Sequence, residues 1–394
     1  MNKTNVFLPP AQRISSFEPY FFASLGKKIA QLKAKGTDVI RIDMGSPDLP
    51  PAGFIIEELV EKSRRADTHG YSPTGGTAAF KQAIADYYLN RFEVSLDPAS
   101  EVLGLIGSKE GLFNLSQVIL NPGDIALVPD PGYPVYSASG IIAGGKVVHF
   151  PLLEENGFLP DLNALPEDVL NDARILWLNY PNNPTGAIAP ISFFEEVVLF
   201  ARKHNILVAH DAPYVDICFD GYNAPSLMQV PGAKDVAIEF NSLSKTYNMA
   251  GWRLGMAVGN PDVIDYLFTY KSQMDTSTFG PIYSAGVKAL TGDQEWLEER
   301  NNVYKERRDL VVDGLRSAGF TLENPKAAIY VWAKLPEGEK DSIGFCARML
   351  EETGVSTTPG IVYGQHGEGY LRVSLGTASD RIREAMNRLA NWKR

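Results

Sequence analysis

The chain has 394 residues, 44% of them hydrophobic and 21% charged, which supplies a sizeable core, suggests about two domains or one large α/β domain with an appendage, and excludes a disordered tail. A formal net charge of −10 argues against a nucleic-acid or anionic-membrane partner, both of which call for a basic face. Cys218 and Cys346 stand in no C-x-x-C or finger spacing, and the five histidines form no H-x-x-x-H pair, so neither a disulfide framework nor a catalytic metal is expected.

Residues 1–16 carry no apolar stretch behind a basic start, so no secretory signal is read. No run reaches the roughly 20 apolar residues of a membrane helix. A reducing cytoplasm is the expected setting. Further on, short β-branched runs alternate with helical periodicity. Strands are predicted at 101–106, 124–128, 146–150, 174–178, 206–209, 235–240 and 254–258, with helices at 110–120, 134–143 and 192–204. Such alternation implies an α/β fold with a mainly parallel seven-stranded sheet covered on both faces, whose ligands gather at the carboxyl ends of the strands. From about residue 292 the pattern changes to a charged helix (295–318), strands at 328–334 and 369–375, and a closing amphipathic helix (379–391). The expected organisation is a large domain over 46–291 and a smaller α+β domain assembled from 1–45 and 292–394.

The chemistry-bearing residues sit at predicted strand ends. Lys245 follows one strand in Ser242-Leu243-Ser244-Lys245, with Arg253 eight residues later. A lysine after a strand is ordinarily a solvated loop charge. A nucleophilic amine, however, needs a pKa well below its free value of about 10.4, and burial with a nearby cation would lower it. Ser242, Ser244 and Arg253 are the kinds of group that hold a phosphate dianion. Asp211 ends the run 206–210, where a buried acid is costly without a cationic partner such as a protonated pyridine nitrogen. The alternative is a structural acid capping the next loop, and Asp211 alone does not decide between them.

The turn Asn179-Tyr180-Pro181-Asn182-Asn183-Pro184-Thr185-Gly186 can aim an asparagine at a ligand, although as a turn it is ordinary punctuation. Gly107-Ser108-Lys109 lies between a strand and a helix, where free N–H groups and the helix dipole suit an anion. Tyr133 offers a ring for stacking, which in isolation is more often plain packing. The string 140–146 almost spells a phosphate loop, but Val147 replaces the required Ser or Thr and the order runs from helix to strand, so nucleotide binding is set aside.

The order of S-L-S-K-x-x-x-x-x-G-W-R after D-A-P-Y and P-N-N-P-T-G resembles the pyridoxal-phosphate aminotransferases of the aspartate aminotransferase superfamily, fold type I. The likeness runs from Tyr20 to the closing helix. It implies that Lys245 holds pyridoxal 5'-phosphate as a Schiff base and later shuttles a proton, and that Asp211 pairs with the pyridine nitrogen. It gives Tyr214 and Asn183 contacts to the ring oxygen and makes Tyr133 the stacking ring. Gly107, Ser108, Lys109, Ser242, Ser244 and Arg253 would hold the phosphate. Tyr71 matches a tyrosine that reaches the neighbouring subunit's phosphate, which implies a homodimer with shared sites. Arg372, in the apolar strand Tyr370-Leu371-Arg372-Val373-Ser374, matches the clamp for the substrate α-carboxylate, with Gly45 as a backbone site beside it. Tyr20, Tyr133 and Asn183 complete the implied substrate contacts.

Within the superfamily, 106–111, 128–136, 154–161 and 244–249 are most similar to the bacterial LL-diaminopimelate aminotransferase group, where the lysine matching Lys109 pairs with a distal carboxylate. The implied activity is ping-pong transfer of an amino group from an L-amino acid to a 2-oxo acid, with LL-diaminopimelate and 2-oxoglutarate as one candidate pair. The alternatives are an aspartate, alanine or aromatic aminotransferase, or a β-eliminating lyase on the same scaffold. A non-enzymatic regulator is disfavoured, since the motifs begin near residue 20 and the charge opposes DNA binding.

Overall fold

The computed structural model describes residue 8 and residues 10–17 and 21–393. Its strands, in chain order, are β1 (Ile40–Arg41), β2 (Val102–Leu105), β3 (Ile125–Asp130), β4 (Lys146–Pro151), β5 (Ala173–Asn179), β6 (Leu207–Asp211), β7 (Ala237–Ser242), β8 (Gly255–Gly259), β9 (Tyr330–Lys334), β10 (Val355–Ser356), β11 (Thr358–Pro359) and β12 (Tyr370–Ser374). Seven of them form one sheet in the order β2-β8-β7-β6-β5-β3-β4. Only β8 runs against its neighbours, antiparallel to both β2 and β7. β2, β3 and β5 to β7 therefore end on the same edge.

Apart from the edge strand β4, of which only Phe150 is buried, these strands read as largely apolar runs because both faces are covered. Alternate residues feed opposite clusters, as the two-residue period of a strand requires. Ile125, Leu127, Leu176 and Leu178 pack with Phe80, Ile84, Phe194 and Val197 from the helices Ala78–Phe92 and Ile191–His204. Ala126, Val128, Ile175 and Trp177 pack with Leu112, Leu115, Tyr136 and Leu267 from Ser108–Ile119, Val135–Ala143 and Pro261–Met274. A third buried cluster gathers the helices Glu295–Ser317, Ser342–Thr353 and Ser379–Ala390 around the antiparallel order β11-β12-β9. β1 pairs in parallel with β10, so the segment before the large sheet joins this cluster through Ile40 and Ile42. Tyr214, Ile217 and Phe219, just beyond β6, also reach into it.

Most boundaries shift by one or two residues from the sequence expectation, and two of the shifts have a cause in the backbone. The first helix after β2 begins at Ser108 rather than 110, because Gly107 at φ 73° ends the strand abruptly. β7 starts at Ala237 rather than 235, since Gly232 at φ 78° opens the short helix Ala233–Val236 in front of it. The segment 140–146 passes from a helix through Gly144, at φ 85°, into β4. Among the described residues no helix is long and apolar enough to cross a membrane, and no group of His, Cys, Asp and Glu is arranged to hold a metal.

Candidate active site

Lys245 sits in the single turn Leu243–Thr246 that follows β7, started by Ser242, whose hydroxyl accepts from Ser244 N–H at 3.3 Å. Its ammonium donates to the Gly45 carbonyl at 2.6 Å and lies 5.9 Å from the centre of the Tyr214 ring. Burial lowers its pKa, and Arg372 and Arg253 push the same way against Tyr330 and Asp211. The direction is the one a nucleophilic amine requires.

Asp211 closes β6 and is buried. Its Oδ2 accepts from Tyr136 O–H at 2.7 Å. Its Oδ1 is buried with no hydrogen-bond partner among the described residues. Burial pushes the carboxyl up to about 6, and the Tyr136 bond pulls it down. An acid so placed has one oxygen fixed and the other waiting for a donor. Register carries the neighbouring turn to the same place: Asn179, ending β5, lies opposite Asp211 and donates from Nδ2 to the Asp211 carbonyl at 2.6 Å. Its Oδ1 accepts from Asn183 N–H at 2.7 Å, so the Pro-Asn-Asn-Pro turn is held beside the acid.

The glycine turn after β2 meets Arg253. A Cβ on Gly107 would fall 2.2 Å from Arg253 Nη2, so only glycine lets the guanidinium lie against this backbone. Arg253 itself adopts φ 57° and donates to Ser244 Oγ at 3.4 Å and the Ala250 carbonyl at 2.9 Å. Gly107, Ser108, Ser242, Ser244 and Arg253 thus converge from β2, β7 and the loop before β8. Lys109 extends past them, its ammonium 5.6 Å from the centre of the Tyr133 ring, and burial and then Arg253 lower its pKa. Tyr133 packs edge-on against Tyr136, which stacks on Trp177 at 4.9 Å.

Arg372 brings the third cluster to the site. From the middle of β12 it donates through Nη1 to Asn183 Oδ1 and through Nη2 to the Asp43 carbonyl, both at 2.9 Å. Its guanidinium carbon lies 4.2 Å from the Tyr330 ring centre and 4.9 Å from that of Tyr363. Nε is buried without a partner among the described residues. Tyr330 also exchanges a hydrogen bond with Tyr214 O–H at 2.9 Å, and its hydroxyl would lie 2.4 Å from a Cβ on Gly45. Gly45 is a glycine because that hydroxyl needs the space.

The residues anticipated from the sequence therefore meet around Lys245, with two exceptions. Tyr71 is 92% exposed on a loop and takes no part in this chain's own cluster. Tyr20 lies outside the described residues. Sequence reasoning missed Tyr136 and Tyr330. Each is an aromatic in an apolar run, the usual mark of packing, and only the contact across the fold reveals the polar role of its hydroxyl.

Pyridoxal phosphate matches what these residues lack. Its pyridinium nitrogen is a donor of the kind the orphan Asp211 Oδ1 calls for. Its phosphate suits the glycine-built turn under Arg253 at a helix amino terminus. Its aldehyde suits an amine whose basicity is lowered. The site fits the cofactor.

Comparison with known proteins agrees. The family model for aminotransferase class I and II matches residues 37–389. LL-diaminopimelate aminotransferase of Moorella thermoacetica is 50% identical over 379 residues, covering 96% of this chain and 97% of that one. The enzyme of the same name from Halothermothrix orenii is 50% identical over 381 residues, covering 97% and 98%. Among solved structures, substrate-bound BacF of Bacillus subtilis superposes with a TM-score of 0.93 at 37% identity, covering 97% of each chain. A mutant aspartate aminotransferase of Thermus thermophilus gives 0.90 at 28% identity, covering 97% and 99%. This chain belongs to the class I and II aminotransferases, pyridoxal-phosphate enzymes that pass an amino group between amino acids and 2-oxo acids.

Proposed function

We propose that the chain transfers the amino group of LL-diaminopimelate to 2-oxoglutarate, working as a cytoplasmic homodimer with shared sites. The observation that carries the substrate is Lys109. Its ammonium lies beside the Tyr133 ring and makes no ion pair among the described residues, whereas Arg372 bonds Asn183 and the Asp43 carbonyl. Two separate cations suit a substrate with a carboxylate at each end, and the relatives that share half of this chain's residues carry that substrate in their name. The dimer rests on Tyr71, whose ring stands exposed on its own chain and matches the residue that enters a neighbour's site.

When bound, the cofactor supplies an electron sink for the charge left at the substrate Cα. The chain's residues do the rest. Arg372 holds the α-carboxylate through paired N–H groups and so turns the Cα–H bond toward Lys245. With the cofactor bound, the Lys245 amine would take up that proton and hold it. Asp211, fixed by Tyr136, keeps a proton on the pyridine nitrogen. Tyr214 and Asn183 hold the ring oxygen, and Tyr133 covers the ring face. Gly107, Ser108, Ser242, Ser244 and Arg253 anchor the phosphate, with Lys109 at their edge. Gly45 offers backbone to the substrate carboxylate. Because one amino acid leaves before the second acid enters, the kinetics are ping-pong.

The test is the visible spectrum of the purified protein mixed with single amino acids and no oxo acid. Bleaching by LL-diaminopimelate and glutamate but not alanine is the expected result. Bleaching by alanine, aspartate or an aromatic amino acid without diaminopimelate would refute the substrate. Continuous ammonia release would move the chain to the lyases.

A further inference from the structure

Lys271 takes no part in the chemistry above, yet it is 0% exposed in the helix Pro261–Met274. Its ammonium lies 3.0 Å from Glu110 Oε2 and 2.8 Å from Asp275 Oδ2. A buried ammonium is retained only where carboxylates meet it, and removing either side leaves an uncompensated charge. Asp275 is the local partner, one helical turn on. Glu110 is the distant one, 161 residues away in sequence.

Glu110 is the third residue of the helix Ser108–Ile119, directly behind the Gly107 turn. Its Oε2 accepts from Ile106 N–H at 2.8 Å and its Oε1 from Asn114 Nδ2 at 2.7 Å, while its own N–H donates to the Gly107 carbonyl at 3.3 Å. The backbone on either side of Gly107 is therefore tied to one residue, before it through the Glu110 carboxylate and after it through the Glu110 N–H. That turn must keep its outer N–H groups pointed at an anion. The device that fixes it is itself an anion, placed at the positive end of the same helix and competing with a bound dianion for that end. Lys271 eases the conflict by bonding the same Glu110 oxygen, Oε2, that accepts from Ile106 N–H.

We propose that Glu110 and Lys271 are positioning residues of the phosphate cradle: Glu110 holds the Gly107 turn in its anion-binding shape, and Lys271, shared with Asp275, offsets part of the charge with which Glu110 would repel the phosphate. The proposal rests on the reading that Gly107, Ser108 and Arg253 hold the cofactor's phosphate.

The experiment titrates apoenzyme with pyridoxal phosphate and, separately, with pyridoxal, following tryptophan fluorescence. Lys271→Gln is expected to weaken pyridoxal phosphate binding about tenfold or more while pyridoxal changes by less than about threefold. Adding Glu110→Gln, which keeps an oxygen for Ile106 N–H but discards the charge, is expected to restore most of the loss. Glu110→Gln alone is expected to tighten pyridoxal phosphate binding about threefold, and it carries the test if Lys271→Gln does not fold. Equal weakening of both ligands, no change in either, or a double variant no better than Lys271→Gln would overturn the proposal. Arg253→Ala separates the two layers. If it spares pyridoxal phosphate affinity, the cradle itself is misplaced. If it lowers that affinity selectively while Lys271→Gln does not, only the role of Lys271 and Glu110 fails.

Discussion

Replacing Arg372 by lysine keeps the charge and removes the fork, which makes it the sharpest test of the carboxylate clamp. The guanidinium bonds Asn183 Oδ1 and the Asp43 carbonyl at 2.9 Å each, and the rings of Tyr330 and Tyr363 flank it. Those contacts use one hydrogen on each terminal nitrogen and fix the plane in which the remaining N–H groups face a carboxylate. A lysine ammonium reaches at most one of the anchoring oxygens and offers no second parallel donor to the substrate. A hydrogen bond to a charged group contributes about 1.5–3 kcal/mol. Losing one such bond together with the fixed orientation costs about 3 kcal/mol, or about 150-fold in kcat/KM. The assay is the single-turnover loss of the visible band with amino donor alone, run in parallel with the donor's α-amide. The acid should lose about 150-fold and the amide, which never had a carboxylate to clamp, less than about fivefold. Equal losses for acid and amide would mean that Arg372 supports the fold rather than the substrate, and the clamp would be refuted.

Four further outcomes follow from the same geometry. Lys245→Ala should bind the cofactor without the covalent visible band, read by absorbance before and after borohydride; a band that borohydride still fixes would place the amine elsewhere. Asp211, buried and raised from a usual 3.8 to about 6, favours folding while neutral, so its contribution is full below pH ~3.8 and lost as pH rises through about 6. Cofactor-free Asp211→Asn should therefore unfold in urea with up to about 3 kcal/mol more stability than the parent above pH ~6 and no advantage near pH ~4; a difference flat with pH would refute it. Tyr330→Phe leaves the ring under Arg372 but removes the hydroxyl that supports Tyr214, so the pH midpoint of the holoenzyme's visible band should rise by roughly half to one unit while substrate affinity holds; an unmoved midpoint would remove Tyr330 from the site. Co-expressed Tyr71→Ala and Lys245→Ala chains should form mixed dimers with one intact site each, and activity no higher than the Tyr71→Ala homodimer alone would argue against shared sites.

What could be read in advance, and what could not, divides by the range of the interaction. All seven strands of the large sheet lie within a few residues of their expected positions; for all but the edge strand β4, the cause is that a strand covered on both faces announces itself as a local apolar run. Lys245, Asp211, Asn183 and the Gly107 turn were visible for a related reason: each stands where such a run stops, and polar residues at the end of a buried strand are conspicuous. Tyr136 and Tyr330 carry no such contrast. Their hydroxyls matter only through partners 75 and 116 residues away, Asp211 and Tyr214. Lys271 is the instructive middle case. It falls four residues after buried Leu267 on the face that also carries Ile264, so the helical period placed a cation on an apolar stripe, with Asp275 one turn beyond. A charge on the buried face of an amphipathic helix is costly enough to demand a partner. Lys271 was not singled out from the sequence, and the identity of Glu110 as the partner depends on how the helix crosses the amino terminus of Ser108–Ile119. Local pattern thus locates the groups that must be satisfied, and the fold decides by whom. Of the buried polar atoms without a hydrogen-bond partner among the described residues, two, Asp211 Oδ1 and Arg372 Nε, lie where cofactor and substrate would supply the missing partners.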